Sequence, residues 1–488
     1  MKNKNKISFV LDQKIEDIDF TNVSPTTTVL NYLRANPSHK GVKEGCAEGD
    51  CGACTVAIGE LQADGKIKYK AIDSCLVFLP QLHGKQLITV ENLSGKANTA
   101  DELHPVQKAM VESNGSQCGY CTPGIIMSLF ALYKNENEPT NHSIQDSLTG
   151  NLCRCTGYKP IIEAAASSCV NNTHDHFTVS ETAIAELLKQ IQKNDEEKQI
   201  VYKDQVYFLP TRLRQAIRIR QSNPKALLIS GASDVALRVT KRHEILPEIL
   251  DISSLKDLKH FSVDEHTVTL GAGLSLESIR TRVQDVLPAL YDTLSVFGSR
   301  QIRNVATLGG NLGSASPIGD TIPMLMAYGA AIVLYGHAGT REVLINDFII
   351  GYRKTVMRPD ELIAAVVVPI PAADVQVKWY KISKRKDLDI STVSGGFSLR
   401  LEDGKVAELV LAYGGMAAQT KRADKTEAFL NGKEWSREVV EEAMKILYNE
   451  FTPLTDARAG AEMRRIAARN LLLKFWSETS NASVNMTH

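Results

Sequence analysis

Long apolar runs are missing from this chain. No stretch of its 488 residues approaches the ~18 apolar residues of a membrane span. The longest candidate, around Ile322 to Leu334, is broken by Pro323 and Gly329 and reads as core, so no membrane association is expected. Net charge is missing too. Lys and Arg number 56 against 56 Asp and Glu, which argues against nucleic-acid binding driven by bulk charge. The N-terminal run MKNKNKISFVLDQ has lysines but neither an apolar h-region nor a small-residue cleavage site. Export is therefore not expected, and a cytoplasmic location is. There is no G-x-G-x-x-G opening a helix after a strand and no G-x4-G-K-[ST], which removes a Rossmann site and a P-loop. No acid–base or nucleophile constellation for bond-making on an organic substrate stands out. The length suggests about three domains.

What is present is cysteine, nine in all. Eight fall into two quartets: Cys46-x4-Cys51-x2-Cys54-x20-Cys75 in EGCAEGDCGACTV and beyond, and Cys118-x2-Cys121-x31-Cys153-x1-Cys155 in QCGYCTPG and GNLCRCTGY. A chain kept in a reducing compartment does not use such pairs as disulfides, which leaves metal or redox chemistry. Structural zinc sites usually use two well-separated C-x2-4-C pairs. The first quartet instead packs Cys46, Cys51 and Cys54 into one loop with Gly45, Gly49 and Gly52. Such a loop can turn backbone N–H groups towards bridging sulfides. Its C-x4-C-x2-C…C spacing is the plant-type [2Fe–2S] pattern. The second quartet, by spacing alone, fits zinc almost as well as a cluster. Cys169 is left over and reads as a buried structural thiol.

Residues 7 to about 92 read as a small α+β unit. Strands are expected at Ile7 to Leu11, Thr55 to Ile58, Ile67 to Ile72 and Gln86 to Val90, with a short helix through Leu33 capped by Ser24 or Thr26. Residues 100 to about 170 read as four helices, with Pro105, Pro123 and Pro160 at first turns. Both halves of the second quartet then precede helices, which favours a second cluster held between helix pairs. Residues 171 to about 205 are polar and read as a linker with one helix at Glu181 to Lys193. His174 and His176 there read as solvated rather than metal-binding. From Tyr207 onward helices alternate with short strands. From about 378 to 480 a separate subdomain is expected, with a small sheet and two amphipathic helices.

Two loops in the third region are rich in small residues: Leu228-Ile229-Ser230-Gly231-Ala232-Ser233-Asp234, and Ala306 to Asp320 (ATLGGNLGSASPIGD). Glycine permits close backbone approach to a ligand, and successive N–H groups make anion nests. Two such loops suit a diphosphate; the bland alternative is that their glycines merely make turns.

The motifs EGCAEGDCGACTV, QCGYCTPG, GNLCRCTGY and ATLGGNLGSASPIGD, in this order, resemble the xanthine oxidase family of molybdenum hydroxylases. The likeness is to the small iron–sulfur/FAD subunit of the bacterial xanthine dehydrogenase type, from about residue 7 to 478, and FTPLTDARAGAEMRRIAARNLLLKFW extends it. The resemblance implies a multidomain α+β fold: a ferredoxin-like β-grasp [2Fe–2S] domain (1–94), a four-helix [2Fe–2S] domain (95–171), a linker (172–205), an α+β FAD-binding domain (206–375) and an α+β C-terminal flavoprotein subdomain (376–488). It implies that Cys46, Cys51, Cys54 and Cys75 hold the cluster nearer the flavin. Cys118, Cys121, Cys153 and Cys155 hold the one nearer a molybdenum cofactor, whose pterin Gln117 would meet. Leu228, Ile229, Gly231, Ala232 and Ser233 match one FAD loop, and Thr307, Gly310, Asn311, Ser314 and Asp320 the other. Phe297, Lys381 and Asp389 match flavin-side positions. The implied partner is a large subunit carrying the molybdenum cofactor, in a heterodimer or dimer of heterodimers, with NAD as co-substrate and a purine as reductant. Another heterocycle or an aldehyde, a standalone flavin–iron-sulfur reductase and a zinc scaffold are the alternatives. Two departures stand out: Ala236 where the family commonly has glycine, and a linker longer and less patterned than expected. Lys384, Arg385 and Lys386 are either a guide for an anionic nucleotide or a solvated loop.

Overall fold

The structure, a computed structural model, describes residues 4–94, 99, 102–170, 175–193 and 196–480. It divides into two compact units. One comprises the chain up to Lys256 together with Gly298–Ala306, and the other Asp257–Phe297 together with the chain from Thr307 onward. Among the described residues no helix is long and apolar enough to cross a membrane.

The first unit begins with a five-stranded sheet in the order Lys14–Asp19, Lys6–Leu11, Gln86–Ile88, Thr55–Leu61, Ile67–Asp73. Lys6–Leu11 runs parallel to Gln86–Ile88, and the other pairings are antiparallel. The period-two alternation of a strand explains why both faces are covered. Val56 and Ile58 enter one apolar cluster with Phe9, Phe20 and Phe78, while the intervening Ala57 enters another with Ile125, Phe130 and Leu188. The helix over Val29–Ala35 is capped by Thr28, whose hydroxyl accepts the N–H of Asn31 at 3.2 Å. Ser24 and Thr26, the expected caps, bond each other instead, and the Ser24 hydroxyl donates to Gln205 Oε1. The strand expected to reach Val90 stops at Ile88, because Asn92 Oδ1 takes the N–H and hydroxyl of Thr89.

Four helices follow: Pro105–Glu112, Thr122–Asn135, Asn141–Leu148 and Lys159–Ser168. Pro at the first turn costs no hydrogen bond. The segment read as a polar linker holds a longer helix than expected, His176–Lys193, and its Phe177, Ile184, Leu188 and Ile191 are part of the helical core. Buried Asp175 anchors its start. Burial opposes its charge, but His104, Lys134 and the Thr178 N–H hold the carboxyl below its ordinary range. The signal was an i, i+4, i+7 apolar stripe diluted by charges. His176 is exposed and meets the Asn92 carbonyl at 3.2 Å; His174 lies outside the described residues. Cys169 is fully buried in the same core, and burial pushes its thiol up to about 11. A four-stranded sheet then runs Lys198–Tyr202, Gln205–Leu209, Glu248–Asp251, Leu227–Ile229, its last three strands parallel.

The second unit holds an antiparallel sheet in the order Phe261–Val263, Thr267–Gly271, Leu362–Pro369, Ala331–Gly336, Gly339–Leu344. A further antiparallel sheet runs Val375–Ile382, Val393–Glu402, Lys405–Gly414, Lys421–Arg422. Against it pack Arg437–Glu450 and Ala461–Thr479 around Phe397, Tyr413, Leu472 and Phe475. The expected α+β multidomain class is what the chain forms.

Candidate functional site

The first cysteine loop follows the Val29–Ala35 helix and the Pro37–His39 turn and enters the sheet at Thr55. Gly49 and Gly52 take φ of +80° and +66°, which L side chains rarely adopt. The turn aims the backbone N–H groups of Glu48 and Asp50 at Cys46 Sγ, both at 3.4 Å. Cys46 and Cys51 are half-buried, Cys54 and Cys75 buried. The thiols gather in two pairs, Cys46 with Cys51 and Cys54 with Cys75. The hydrogen bond from Cys51 and the two N–H groups lower the Cys46 thiol to about 5, and its partner Cys51 is correspondingly raised. Asp73, fully buried, faces Cys54 Sγ at 3.8 Å, and burial raises its carboxyl well above the usual range. Its other oxygen has no partner.

The second quartet lies at helix starts. Cys121 directly precedes Thr122–Asn135, and Cys153 and Cys155 precede Lys159–Ser168. Again the thiols pair, Cys118 with Cys155 and Cys121 with Cys153. Burial, then Cys153, pushes Cys121 up to about 12. Cys118 and Cys155 are exposed, as is Gln117 beside them. Among the described residues no group of three or more His, Cys, Asp or Glu has the arrangement of a single-ion site. Two pairs of thiols per quartet are what a two-iron cluster needs, since each of its irons takes two thiolates.

The two cysteine loops touch. Leu152 N–H, one residue before Cys153, donates to the Cys51 carbonyl at 3.0 Å. Asn151 Nδ2 donates to the Gly52 carbonyl and to Thr55 Oγ1, while Asn151 Oδ1 accepts from Ser128 Oγ at 2.6 Å and from Gln301 Nε2 at 2.8 Å. A Cβ on Gly52 would lie 2.1 Å from the Gly150 carbonyl, and one on Gly124 2.1 Å from the Gly52 carbonyl. Glycine at these positions is thus a condition of the contact. Gln301 is fully buried and also bonds Ser128 Oγ at 2.9 Å. Reading the sequence missed Gln301, Asn151 and Ser128, because single polar residues within helices and loops carry no spacing signal.

The first small-residue loop follows the Leu227–Ile229 strand. A Cβ on Gly231 would meet the Val305 carbonyl at 2.0 Å, and Ala232 takes φ +58°. Ser230 Oγ is buried without a partner. Leu228, Gly231 and Ser233 are half-buried, Ile229 and Ala232 buried. Ala236 is fully buried at the start of a short helix, so its extra methyl is accommodated.

The second region, expected as an open loop, contains a short helix over Leu308–Ser314. Thr307 caps it through Gly310 N–H at 3.1 Å, and the Asn311 N–H bonds the Thr307 carbonyl. Thr321 Oγ1 donates to Asn311 Oδ1 and Ser314 Oγ to the Asn311 carbonyl. The Thr cap, about 1 kcal/mol, offsets only part of what three glycines cost at about 1 kcal/mol each, and burial of Leu308 and Leu312 holds the turn helical. Asp320 is buried and doubly held, by Lys381 Nζ at 3.0 Å and Ser391 Oγ at 2.6 Å. Asp389 is not at that pair. It accepts the N–H groups of Lys384 and Arg385 and so shapes the basic turn, and these outweigh burial and keep its carboxyl below the usual range. Phe297 is half-buried just beyond the Pro288–Ser295 helix.

Four family models match in sequence order: a 2Fe–2S iron–sulfur cluster binding domain over 11–79, a [2Fe–2S] binding domain over 89–166, the FAD binding domain in molybdopterin dehydrogenase over 198–371, and the CO dehydrogenase flavoprotein C-terminal domain over 378–479. Xanthine dehydrogenase/oxidase of Gallus gallus is 31% identical across 96% of this chain and 40% of its own length. Xanthine dehydrogenase of Oryza sativa is 30% identical across 92% of this chain and 38% of its own length. The chain thus spans about two fifths of these relatives. Among solved structures, a carbon monoxide dehydrogenase from Hydrogenophaga pseudoflava superposes with TM-score 0.53 at 24% identity, covering 55% of this chain and 94% of that one. Quinoline 2-oxidoreductase from Pseudomonas putida 86 does so with 0.51 at 22%, covering 55% and 94%; both likenesses are of fold. With two [2Fe–2S] domains followed by an FAD domain and its C-terminal partner, the chain belongs to the molybdenum hydroxylase family and carries that family's iron–sulfur and flavin part.

Proposed function

We propose that this chain is the electron-transfer subunit of a xanthine dehydrogenase-type enzyme. Electrons taken from hypoxanthine or xanthine at a partner subunit's molybdenum cofactor would pass by way of the two iron–sulfur sites to FAD and then to NAD. When bound, the clusters supply one-electron and the flavin two-electron chemistry. The single observation that carries the reading is the pair of four-thiol sites whose loops share a direct hydrogen bond, Leu152 N–H to the Cys51 carbonyl.

The residues fit these groups. In each quartet two thiol pairs stand ready, and Glu48 and Asp50 direct N–H groups at a ligand sulfur. The half-buried and buried first quartet is shielded; the exposed Cys118, Cys155 and Gln117 form the edge that a molybdenum-bearing partner would cover. For FAD we assign Leu228, Ile229, Gly231, Ala232 and Ser233, and separately Thr307, Gly310, Asn311 and Ser314. The buried, unpartnered Ser230 Oγ supports the first loop. Asp320 and Lys381 brace the second loop, Phe297 would flank the flavin ring, and Asp389 shapes the turn that bears Lys384, Arg385 and Lys386.

The relatives at 30–31% identity are named for xanthine, whereas the fold neighbours are named for carbon monoxide and quinoline. That spread supports a second reading, the same relay serving another heterocycle or an aldehyde. Xanthine-dependent NAD reduction by the complex purified natively through a tag on this chain decides between them. Activity with molybdenum present supports the first reading. Bound molybdenum, iron and flavin without activity move the substrate elsewhere, and a monomer lacking molybdenum leaves a standalone reductase. Neutralising Lys384, Arg385 and Lys386 together should raise the KM for NAD; an unchanged value removes them from nucleotide binding.

A further inference from the structure

Three residues after Cys153 the chain closes a ring of hydrogen bonds on that cysteine. The Cys153 N–H donates to Tyr158 Oη at 2.7 Å, the Tyr158 N–H donates to Thr156 Oγ1 at 3.2 Å, and Thr156 Oγ1 lies 3.2 Å from Cys153 Sγ. Each residue of the ring is both giver and receiver, so none can turn away without breaking two contacts. Tyr158 holds φ +68° without being glycine. That conformation is strained for an L residue and persists only where the surroundings over-determine it. Here it directs the Tyr158 N–H at the threonine oxygen.

The direction of the last bond follows from proton counting. Thr156 Oγ1 already accepts from Tyr158, and a cysteine that ligates iron has no proton to give. The threonine hydroxyl is therefore the donor and the sulfur the acceptor. The backbone N–H groups of Cys155 and Thr156 face the same sulfur. Hydrogen bonds to ligand sulfur favour the state with more negative charge, and they are among the factors that set a cluster's potential. Backbone N–H groups meet sulfur in the first quartet too, those of Glu48, Asp50 and Cys51 at Cys46, of Ala53 at Cys51 and of Cys75 at Cys54, but the side chain at its sulfur among the described residues is the Asp73 carboxyl at Cys54, not a hydroxyl. The nearby Ser74 hydroxyl donates to the Cys54 carbonyl, not to its sulfur.

We propose that Thr156, held in place by Tyr158, is a positioning residue that raises the midpoint potential of the second iron–sulfur site through its hydroxyl bond to Cys153 Sγ. This rests on the reading of the two quartets as [2Fe–2S] sites. It gives the second site an acceptor bias that its spacing alone does not show, while the first site is left untouched.

The test is potentiometry of the full chain with its iron–sulfur and flavin groups, followed by electron paramagnetic resonance, on the wild type and on Thr156→Val, Thr156→Ser and Tyr158→Phe. In Thr156→Val the oxidised-to-reduced ratio of the second site at a fixed potential should rise about tenfold, a fall of about 59 mV for a one-electron couple. Thr156→Ser, which keeps the donor, should restore most of it. Tyr158→Phe should give a smaller shift of the same sign, and the first site should not move in any variant. A Thr156→Val potential equal to the wild type overturns the proposal, as does an equal shift at both sites. If Thr156→Val and Thr156→Ala both lose iron from the second site, Thr156 serves assembly and the proposal is wrong. A wild type without two one-electron [2Fe–2S] signals instead overturns the underlying reading.

Discussion

The two cysteine quartets set the same four thiols on opposite kinds of support. The first grows from a sheet, and its Cys54 and Cys75 are 2% and 1% exposed, inside the apolar cluster of Phe9, Phe20 and Phe78. The second is hung on helix starts, and its Cys118 and Cys155 stand in solvent. The difference teaches that ligand count and ligand setting are separate variables. A core quartet is insulated and tied to folding stability. A rim quartet is accessible at one edge and tied to what meets that edge.

The strongest way to break the contrast is at their shared contact. Gly52→Ala adds a Cβ 2.1 Å from the Gly150 carbonyl at a φ of +66°. Overpacking and left-handed strain together should cost about 3–4 kcal/mol. The denaturation midpoint should fall and iron should be lost from both sites. Loss from the first alone would show that the sites are independent.

Next comes Cys54→Ser against Cys118→Ser. Each should halve the iron bound, but only the first buries a hydroxyl in an apolar cluster, at about 1–3 kcal/mol. Cys118→Ser should leave the stability of the metal-free chain within about 0.5 kcal/mol. Equal losses in chemical denaturation would erase the core-versus-rim distinction.

Gln301→Leu should cost about 1–2 kcal/mol by leaving Asn151 and Ser128 each one partner short. A double-mutant cycle with Ser128→Ala should show coupling rather than additivity. Smallest of all, a chelator at mildly acidic pH should remove iron from the rim site several-fold faster than from the core site, since access governs such sites. Visible spectra over time would report it, and one shared rate would count against the contrast.

Much of this was legible beforehand. Cysteine spacing, first-turn prolines and alternating strands are local signals, and the four short helices between Pro105 and Ser168 formed where prolines and caps placed them. Other features were not legible. Thr28 caps a helix that Ser24 or Thr26 was expected to start, because Gln205, far along the chain, takes Ser24. The helix expected from Glu181 in the polar 172–205 segment begins at His176 instead, because Phe177 packs into the core of Phe130 and Ile125. The Leu308–Ser314 region read as a loop from its glycines, but the Thr307 cap together with burial of Leu308 and Leu312 made it helical.

The sequence by itself determined the eight thiols, their spacing in two quartets and the glycines their loops require, because turn conformation is set within a few residues. Only the tertiary structure decided that Cys54 pairs with Cys75, Cys118 with Cys155 and Cys121 with Cys153, which quartet reaches into the core, and that Gln301 and Asn151 join the two loops. Those outcomes depend on contacts between distant segments and on what each excludes from water, and no local pattern of residues encodes either.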